Sequence, residues 1–274
     1  MIELRAGGNV ARVSALAAAL TFLEIDGVVA IAPASDEAIL KTFASIVCAP
    51  WPNRIADGLW GSKKFPGNDP HGNALHGLVY NKEFELKQHS DTSATYEYHL
   101  HASENYPFDI LIGAKFALSE TGITVTYYAR NLGEGNAPYG VAAHPYFKVQ
   151  KDSKFSIHAR QQSINNEKQI HVGLEPATKA GENIVFGDVV LDDCFTDLTG
   201  DVVITHADGS KVTVWQDPEY KYLMVYTGHH LDGLAVEPQT CPADAFNNQQ
   251  DLIWLGPGAS WQADWGVTAK GGKQ

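Results

Sequence analysis

His144 stands in a sequence context that suits a positioned proton donor. It lies in the stretch A-A-H-P-Y-F-K, residues 142–148, and Pro145 follows it directly. Because a proline restricts the preceding residue to extended conformations, the imidazole should be held on a stiff backbone beside Tyr146 and Phe147. A histidine fixed in this way is either a packed structural group or a group that donates a proton.

Glu237 is the carboxylate whose surroundings most invite a chemical role. It follows the apolar residues 234–236 and precedes Pro238, so we expect it at the end of a buried strand that the proline terminates. Burying a carboxylate is costly unless it is paired or neutralised. Glu237 is therefore either a proton-transfer group or one half of an ion pair with Arg54 or another cation.

Two loops in the first third of the chain carry candidate binding residues. Arg54 follows Asn53 in the proline-flanked loop 49–61. Its guanidinium either braces loop carbonyls or presents donors to ligand oxygens. His76 precedes a glycine in the long polar loop 65–77, and loops of this length tend to be functional or mobile. The histidine is either a ligand-binding group or a side chain satisfied by the backbone.

Two stretches raise the question of a metal site. Residues 191–198, L-D-D-C-F-T-D-L, carry three aspartates between predicted strands, but they lack the glycine and distal glutamate of a calcium loop. Asp192 could instead accept hydrogen bonds from ligand hydroxyls. His99 and His101 share one face of a predicted strand, but no third ligand with suitable spacing is visible. We interpret both as surface residues and predict no metal.

The overall charge argues against two classes of partner. The 274 residues carry 20 lysines and arginines against 32 aspartates and glutamates, a formal charge of -12. Nucleic acids and anionic membranes both need a basic face, so neither is expected as a partner. The sequence also contains no phosphate-binding loop, nucleophile elbow or HExxH motif. We therefore expect no nucleotide cofactor.

The cysteines and the apolar segments bear on location. Cys48, Cys194 and Cys241 are widely spaced and form no CxxC pair, which fits a reducing compartment. The longest apolar run of the first third, residues 15–20, is far shorter than a membrane span, and no secretory signal is evident. We predict a cytoplasmic protein, as a monomer or homodimer.

Short strands and turns fill nearly the whole chain. Alternating residues rich in Tyr, Phe, Ile, Val and Thr predict strands, and residues 37–46 show a weak helical pattern. The predicted strands of the second half cover residues 155–159, 167–172, 185–190, 202–206, 211–215, 223–226, 252–255 and 259–267. No linker-like composition divides the chain. The sequence therefore predicts one all-β domain over residues 1–274, a sandwich or barrel of antiparallel strands.

Four stretches, taken together and in order, resemble the aldose 1-epimerase (galactose mutarotase) family. They are P-x-P-N-R-I at residues 50–55, L-H-G at 75–77, H-P-Y-F at 144–147 and E-P-Q-T-C-P-A-D-A-F at 237–246. The resemblance covers nearly the whole chain. It implies a large antiparallel β-sandwich with an open cleft, a small-molecule sugar as ligand, and interconversion of sugar anomers without metal or nucleotide cofactor.

The resemblance also implies a role for each candidate residue. His144 matches the family's general acid and Glu237 its general base. Arg54, His76 and Asp192 match residues of the family's sugar site. Asn53 and Tyr146 are also assigned to sugar binding, Tyr146 as an aromatic that could cover an apolar sugar face. Asp193 is adjacent to Asp192, and either aspartate could face the site. Trp51 is a further aromatic that could cover an apolar sugar face.

Three functions compete at this point. The first is a mutarotase for a free hexose, which needs one acid and one base but no nucleophile. The second is a non-catalytic carbohydrate-binding protein, which would need neither. The third is a mutarotase for a phosphorylated or otherwise modified sugar. This third function requires a cationic pocket, for which Lys63 and Lys64 are the adjacent pair nearest the motifs.

Overall fold

The computed structural model describes residues 1–228 and 233–272, and most of their regular secondary structure is strand. The strands of the first half are β1 (Ile2–Ala6), β2 (Asn9–Val13), β3 (Leu20–Ile25), β4 (Val28–Ile31), β5 (Val47–Cys48), β6 (Arg54–Ile55), β7 (Leu59–Trp60), β8 (Lys63–Lys64), β9 (Ala74–Leu75), β10 (Glu85–His89), β11 (Ser93–Leu100), β12 (Ile110–Leu118) and β13 (Gly122–Asn131).

The strands of the second half are β14 (Ala137–Tyr139), β15 (Ala142–Ala143), β16 (Tyr146–Lys148), β17 (Lys154–Ile157), β18 (Ala159–Asn165), β19 (His171–Pro176), β20 (Gly181–Val185), β21 (Asp192–Leu198), β22 (Val202–Thr205), β23 (Lys211–Gln216), β24 (Tyr222–Tyr226), β25 (Gly233–Gln239), β26 (Ile253–Leu255) and β27 (Ser260–Lys270). The α-helices are α1 (Asp36–Thr42) and α2 (Ala245–Asn248). No helix in the described residues has the length and apolar character needed to cross a bilayer.

Two large antiparallel sheets carry most of these strands. The larger has twelve strands in the order β1-β2-β3-β4-β16-β25-β24-β21-β18-β19, and β15 joins it by pairing with both β25 and β5. The smaller has nine strands in the order β10-β11-β12-β13-β27-β23-β22-β17-β20. One cluster of buried apolar side chains draws on both sheets, including Leu23 and Val236 from the first and Phe116 and Trp265 from the second. The predicted all-β antiparallel sandwich is confirmed.

Strand alternation explains how the sheets face each other. In β13, the buried residues Val125, Tyr127 and Ala129 alternate with half-buried residues, the pattern of a strand with one face on a core. β25 is buried at every position instead. Its residues Leu234 and Val236 belong to the core between the sheets, so its alternate residues face the opposite side of the larger sheet.

β25 continues through Pro238, and the expectation that the proline would end this strand is wrong. Val236 and Thr240 donate their N–H groups to the carbonyls of Pro145 and Val141, at 3.3 and 3.0 Å. Pro238 lies midway between them, so its missing N–H is on the same side of the strand. That side faces the break between β15 and β16, where no ladder hydrogen bond is lost.

Four other local predictions differ from the structure. Residues 191–198 contain the whole of β21 rather than a connection, while residues 167–172 form a turn that leads into β19. Residues 185–190 contain a 3₁₀ turn, Phe186–Asp188. The weak helical pattern of residues 37–46 corresponds to the shorter helix α1, which Phe43 ends in a left-handed conformation at φ 58°.

Gly77 allows the loop that carries His76 to pass directly over Ala49. The two residues form an isolated bridge, and the N–H of Leu78 donates to the carbonyl of Ala49 at 2.7 Å. Gly77 has φ +79°, and a Cβ at this position would lie 2.0 Å from the Ala49 oxygen. Only glycine satisfies both the backbone conformation and the contact.

Gly77→Ala should therefore destabilise the fold more than the same change at Gly209. Gly209 has φ +81° but open space around its Cα, so its alanine variant should lose about 1–2 kcal/mol from the left-handed conformation alone. Gly77→Ala should lose about 1–3 kcal/mol more from the steric overlap. Urea unfolding of both variants measures the difference. Equal losses of stability would show that the contact between residue 77 and Ala49 adds no steric cost.

Candidate active site

All seven residues assigned to catalysis or sugar binding line one cavity of about 370 Å³ on the larger sheet. They are Asn53, Arg54, His76, His144, Tyr146, Asp192 and Glu237. The volume lies within the range of small-molecule sites. The structure therefore brings together residues that are far apart in the sequence.

His144 lies directly opposite Glu237 in the strand ladder. Ala142 pairs with Gln239 and Tyr146 pairs with Ala235, so the same register places residue 144 across from residue 237. The Nε2 atom of His144 is 3.3 Å from the Oε1 atom of Glu237, and both side chains are buried.

The backbone around His144 leaves the ladder at this residue. Its carbonyl accepts a hydrogen bond from the N–H of Ser45 at 2.7 Å, and Pro145 has no N–H to donate. Ala143, just before it, pairs with Val47 of β5. The imidazole is thus placed by neighbours on both sides of the break between β15 and β16.

The surroundings of Glu237 disfavour its charged form. Complete burial raises its pKa well above the usual range of a glutamate, and the nearby Asp192 carboxylate raises the pKa further. A hydrogen bond from Gln239 Nε2 to Glu237 Oε2, at 3.3 Å, and the Arg54 guanidinium act in the opposite direction. A carboxylate with a raised pKa is a stronger base once it is ionised.

Arg54 combines the two roles that its sequence context left open. It lines the cavity, while its Nε donates to Asp69 Oδ2 at 3.1 Å and its Nη1 donates to Asn53 Oδ1 at 3.0 Å. Within residues 1–228 and 233–272, Arg54 forms its ion pair with Asp69, and the Glu237 side chain contacts His144 rather than Arg54.

Asp69 is the anchor of this arrangement and was not identified from the sequence. Burial alone would raise its pKa, but hydrogen bonds from Asn73 and Arg54 outweigh burial and lower it. The N–H groups of His71 and Asn73 also donate to its Oδ1 atom, at 3.0 and 2.7 Å. The aspartate therefore stays charged and fixes the guanidinium beside the cavity.

His76 presents a neutral imidazole to the cavity. Burial lowers its pKa well below the usual range of a histidine, and the neighbouring His144 and Arg54 lower the pKa further. The ring of His76 packs edge-on against that of His144, with centroids 4.8 Å apart, and the backbone N–H of His76 donates to the carbonyl of Asn53 at 2.8 Å. Its Nδ1 atom has no hydrogen-bond partner among the described residues. A ligand hydroxyl could occupy that position.

The structure distinguishes the two adjacent aspartates of β21. Asp192 lines the cavity and pairs in register with Tyr226 of β24. Asp193 is bound by the ammonium group of Lys179, with distances of 2.6 and 2.8 Å to its two carboxylate oxygens. Burial raises the pKa of Asp192, and the negative charge of Asp193 also raises it.

One face of four adjacent strands forms the floor of the cavity. Register aligns Asp192 with Tyr226, Tyr226 with Ala235, and Ala235 with Tyr146. Met224 is in register with Glu237 on the same face. The strand pairing thus places Met224, Tyr226, Ala235 and Tyr146 on the same face as Asp192 and Glu237.

Several lining residues were not identified from the sequence. Phe43, Met224 and Tyr226 contribute apolar walls, and Lys41, His71 and Gln169 contribute polar groups. Alternation along β24 could have indicated Met224 and Tyr226, but only with knowledge of which strand pairs with β25. Trp51 does not line the cavity. It is buried against Phe65 and Phe246, with ring centroids 4.5 and 5.4 Å away.

The first and last motifs of the resemblance are joined by hydrogen bonds. The N–H of Asp244 donates to the carbonyl of Arg54 at 2.6 Å, and Asp244 Oδ1 accepts from the N–H of Ala56 at 2.9 Å. The segment that follows β25 therefore holds the loop that carries Asn53 and Arg54. Both motifs serve to position the cavity wall as well as to supply its side chains.

The cavity does not coincide with a cluster of metal ligands. In the described part of the chain, the one grouping of three such side chains is His99, His101 and Asp109, which belong to the smaller sheet or the loop beside it. None of the three lines the cavity.

Comparison with known proteins identifies the family. A family model described as aldose 1-epimerase matches residues 1–268. The uncharacterised protein YihR of Escherichia coli K12 is 28% identical over 279 residues, which cover 94% of this chain and 89% of that protein.

Solved structures share the fold. A galactose mutarotase-like protein from Clostridium acetobutylicum has a TM-score of 0.84 at 20% identity, covering 98% of this chain and 94% of that one. An aldose epimerase homologue from C. elegans has a TM-score of 0.84 at 14% identity, covering 99% of each chain. The galactose 1-epimerase of Lactobacillus acidophilus has a TM-score of 0.81 at 17% identity, covering 98% and 93%. Because the family model spans nearly the whole sequence, the chain belongs to the aldose 1-epimerase family.

Proposed function

We propose that the protein interconverts the α and β anomers of a free hexose by acid–base opening and closure of the sugar ring. The observation that carries the proposal is the 3.3 Å separation of His144 Nε2 and Glu237 Oε1 inside one cavity. The anomeric hydroxyl and the ring oxygen are bonded to the same carbon. An acid and a base that serve both oxygens must therefore converge on neighbouring points.

Ring opening moves one proton at each of these residues. Glu237 accepts the proton of the anomeric hydroxyl, and the electron pair of that bond forms the C1 carbonyl. The bond between C1 and the ring oxygen breaks, and His144 donates a proton to the departing oxygen. The products are an open-chain aldehyde, a protonated Glu237 and a neutral His144.

Ring closure reverses the two transfers. Rotation about the C1–C2 bond presents the other face of the aldehyde to the hydroxyl that attacks it. His144 takes the proton from that hydroxyl, and Glu237 returns its proton to the carbonyl oxygen. Both residues regain their starting states, and the anomeric configuration is inverted or retained according to the face attacked.

The remaining cavity residues suit the binding of a polyol. Asp192 supplies carboxylate oxygens that accept hydrogen bonds, Arg54 supplies donors, and the neutral His76 offers one of each. Asn53 adds an amide, and Tyr146 adds an apolar surface against the sugar ring. Orientation of C1 beside the acid and the base follows from these contacts.

The charges of the cavity support an unphosphorylated sugar. Among its described lining residues, the cations Lys41 and Arg54 are balanced by the carboxylates of Asp192 and Glu237. Arg54 is already paired with Asp69. A phosphate site calls for a cluster of uncommitted cations. The pair Lys63 and Lys64 lies in β8, outside the cavity lining.

The three cysteines support a reducing compartment such as the cytoplasm. Cys48, Cys194 and Cys241 are all free and buried. Free thiols are typical of proteins that stay in reducing surroundings.

His144→Asn and Glu237→Gln should each reduce catalysed anomer exchange by about 10²- to 10⁴-fold, because each removes one proton-transfer group. NMR exchange between anomeric protons, for a panel of aldoses, measures the rate. His158 and Glu182 provide the matched control, since they form a similar pair at 3.6 Å on the surface. His158→Asn and Glu182→Gln should leave the rate unchanged. A wild-type protein that binds sugars without accelerating exchange would support the non-catalytic alternative.

Asp192→Asn and Gln239→Met should shift the acidic limb of the kcat/KM profile in opposite directions. Glu237 must be ionised to act as the base, so activity is present above its pKa and lost below it. Removing the Asp192 charge lowers that pKa and moves the limb to lower pH. Removing the Gln239 hydrogen bond raises it and moves the limb to higher pH. Asp193→Asn should leave the limb in place, and shifts of the same sign in both variants would contradict the assignment of the base.

Glu237→Gln should gain stability relative to the wild type as the pH rises. The folded-state pKa of Glu237 is raised, so the folded protein retains a proton that the unfolded chain has released. The contribution of Glu237 to the free energy of unfolding therefore falls as the pH rises from its pKa in the unfolded chain to its pKa in the folded protein. Thermal unfolding of both proteins at pH 5 and pH 8 gives the difference. If Glu237→Gln is less stable relative to the wild type at pH 8 than at pH 5, the buried carboxylate stabilises the fold at pH 8.

A further inference from the structure

Two histidines and one aspartate meet where β11 ends and β12 begins, and none of them lines the cavity. His99 Nε2 is 3.2 Å from Asp109 Oδ1, and His101 Nδ1 is 3.5 Å from the same oxygen. The two imidazole rings lie with their centroids 3.7 Å apart. We propose that these three side chains bind one divalent transition-metal ion of the zinc type.

Strand register creates this grouping. His99 pairs with Leu111 and Leu100 pairs with Ile110 across β11 and β12, so the same register sets His101 opposite Asp109. Residues two apart in a strand share a face, and directly opposed residues do as well. The third ligand therefore comes from the residue just before the neighbouring strand, eight residues beyond the second histidine, and it is not visible as a local spacing motif.

The distances suit a tetrahedral ion. Zinc bonds nitrogen and oxygen ligands at about 2.0–2.1 Å, which places tetrahedral ligands roughly 3.3 Å from one another. The two nitrogen–oxygen separations, 3.2 and 3.5 Å, bracket that value, and all three ligand atoms lie within 4.8 Å of one another. Imidazole nitrogen and carboxylate oxygen are ligands that zinc accepts. A water molecule would complete the fourth position.

The three side chains are exposed enough to rotate into the exact geometry that a bound ion requires. The side chain of His101 is 75% exposed, and those of His99 and Asp109 are 38% and 37% exposed. Small rotations can therefore bring the two imidazole nitrogens closer without disturbing the core. Asp109 is oriented already, because the N–H of Ala102 donates to its Oδ1 atom at 3.2 Å.

A bound ion would close the loop between β11 and β12. His101 and Asp109 are the first and last residues of that loop, which carries Tyr106 and Phe108. Tyr106 is buried, and its hydroxyl donates to the carbonyl of Pro138 at 2.8 Å. Linking the two ends of the loop by a metal stabilises the folded state, because the ion binds the folded chain in preference to the unfolded one.

Tag-free protein titrated with Zn²⁺ in a calorimeter tests the proposal. The wild type should bind one ion per chain. His99→Gln, His101→Gln and Asp109→Asn should each weaken binding by on the order of tenfold or more, since loss of an outer-sphere partner alone costs 10- to 100-fold. His89→Gln is the matched control, because His89 is an exposed histidine of β10 outside the cluster. Its affinity for Zn²⁺ should equal that of the wild type.

Thermal unfolding provides an independent readout. Zn²⁺ should raise the unfolding midpoint of the wild type and of His89→Gln, but not that of a His99→Gln, His101→Gln double variant. Absence of saturable binding by the wild type would overturn the proposal. Binding that survives in the double variant would do so too, because it would place the ion at other histidines, such as those of the cavity.

Discussion

The site depends on a buried carboxylate that faces an imidazole across a broken strand ladder. β25 is enclosed on both faces, and its partner on one side is divided into β15 and β16. The break interrupts the strand ladder at His144, while the register on either side still sets it opposite Glu237. A continuous partner strand would engage the backbone at this point, and an exposed position would leave the carboxylate with an ordinary pKa. The buried strand β25 and its broken partner therefore determine both the position of His144 and the raised pKa of Glu237.

The surrounding fold must compensate for this arrangement. A buried carboxylate with a raised pKa opposes folding at neutral pH, and the adjacent Asp192 adds to that cost. The large apolar core between the two sheets supplies the compensating stability. Polar contacts then fix the loops: Asp69 holds Arg54, Gly77 lies against Ala49, and Asp244 ties the loop of Arg54 to the segment after β25.

Much of the site could be predicted because its residues lie in short, distinctive stretches. Proline after His144 and apolar residues before Glu237 are local signals, and the antiparallel sandwich follows from alternation and turns. What could not be predicted depends on pairing between distant strands. Pro238 lies inside β25 because the side it faces is already interrupted, which no local rule reveals. Met224 enters the site through its register with Glu237, and Asp109 meets His101 in the same way.

The sheet and the loops contribute different residues to the cavity, and this has an evolutionary consequence. His144 and Glu237 are placed by the sheet, whereas Lys41 lies in the last turn of a short helix, His71 lies in a long loop, and Gln169 occupies a turn before β19. Sequence changes at the latter three positions alter the rim without touching the strand register. Under the proposed function, descendants of one ancestral gene can therefore diverge in the sugars they prefer while inheriting the same ring-opening step.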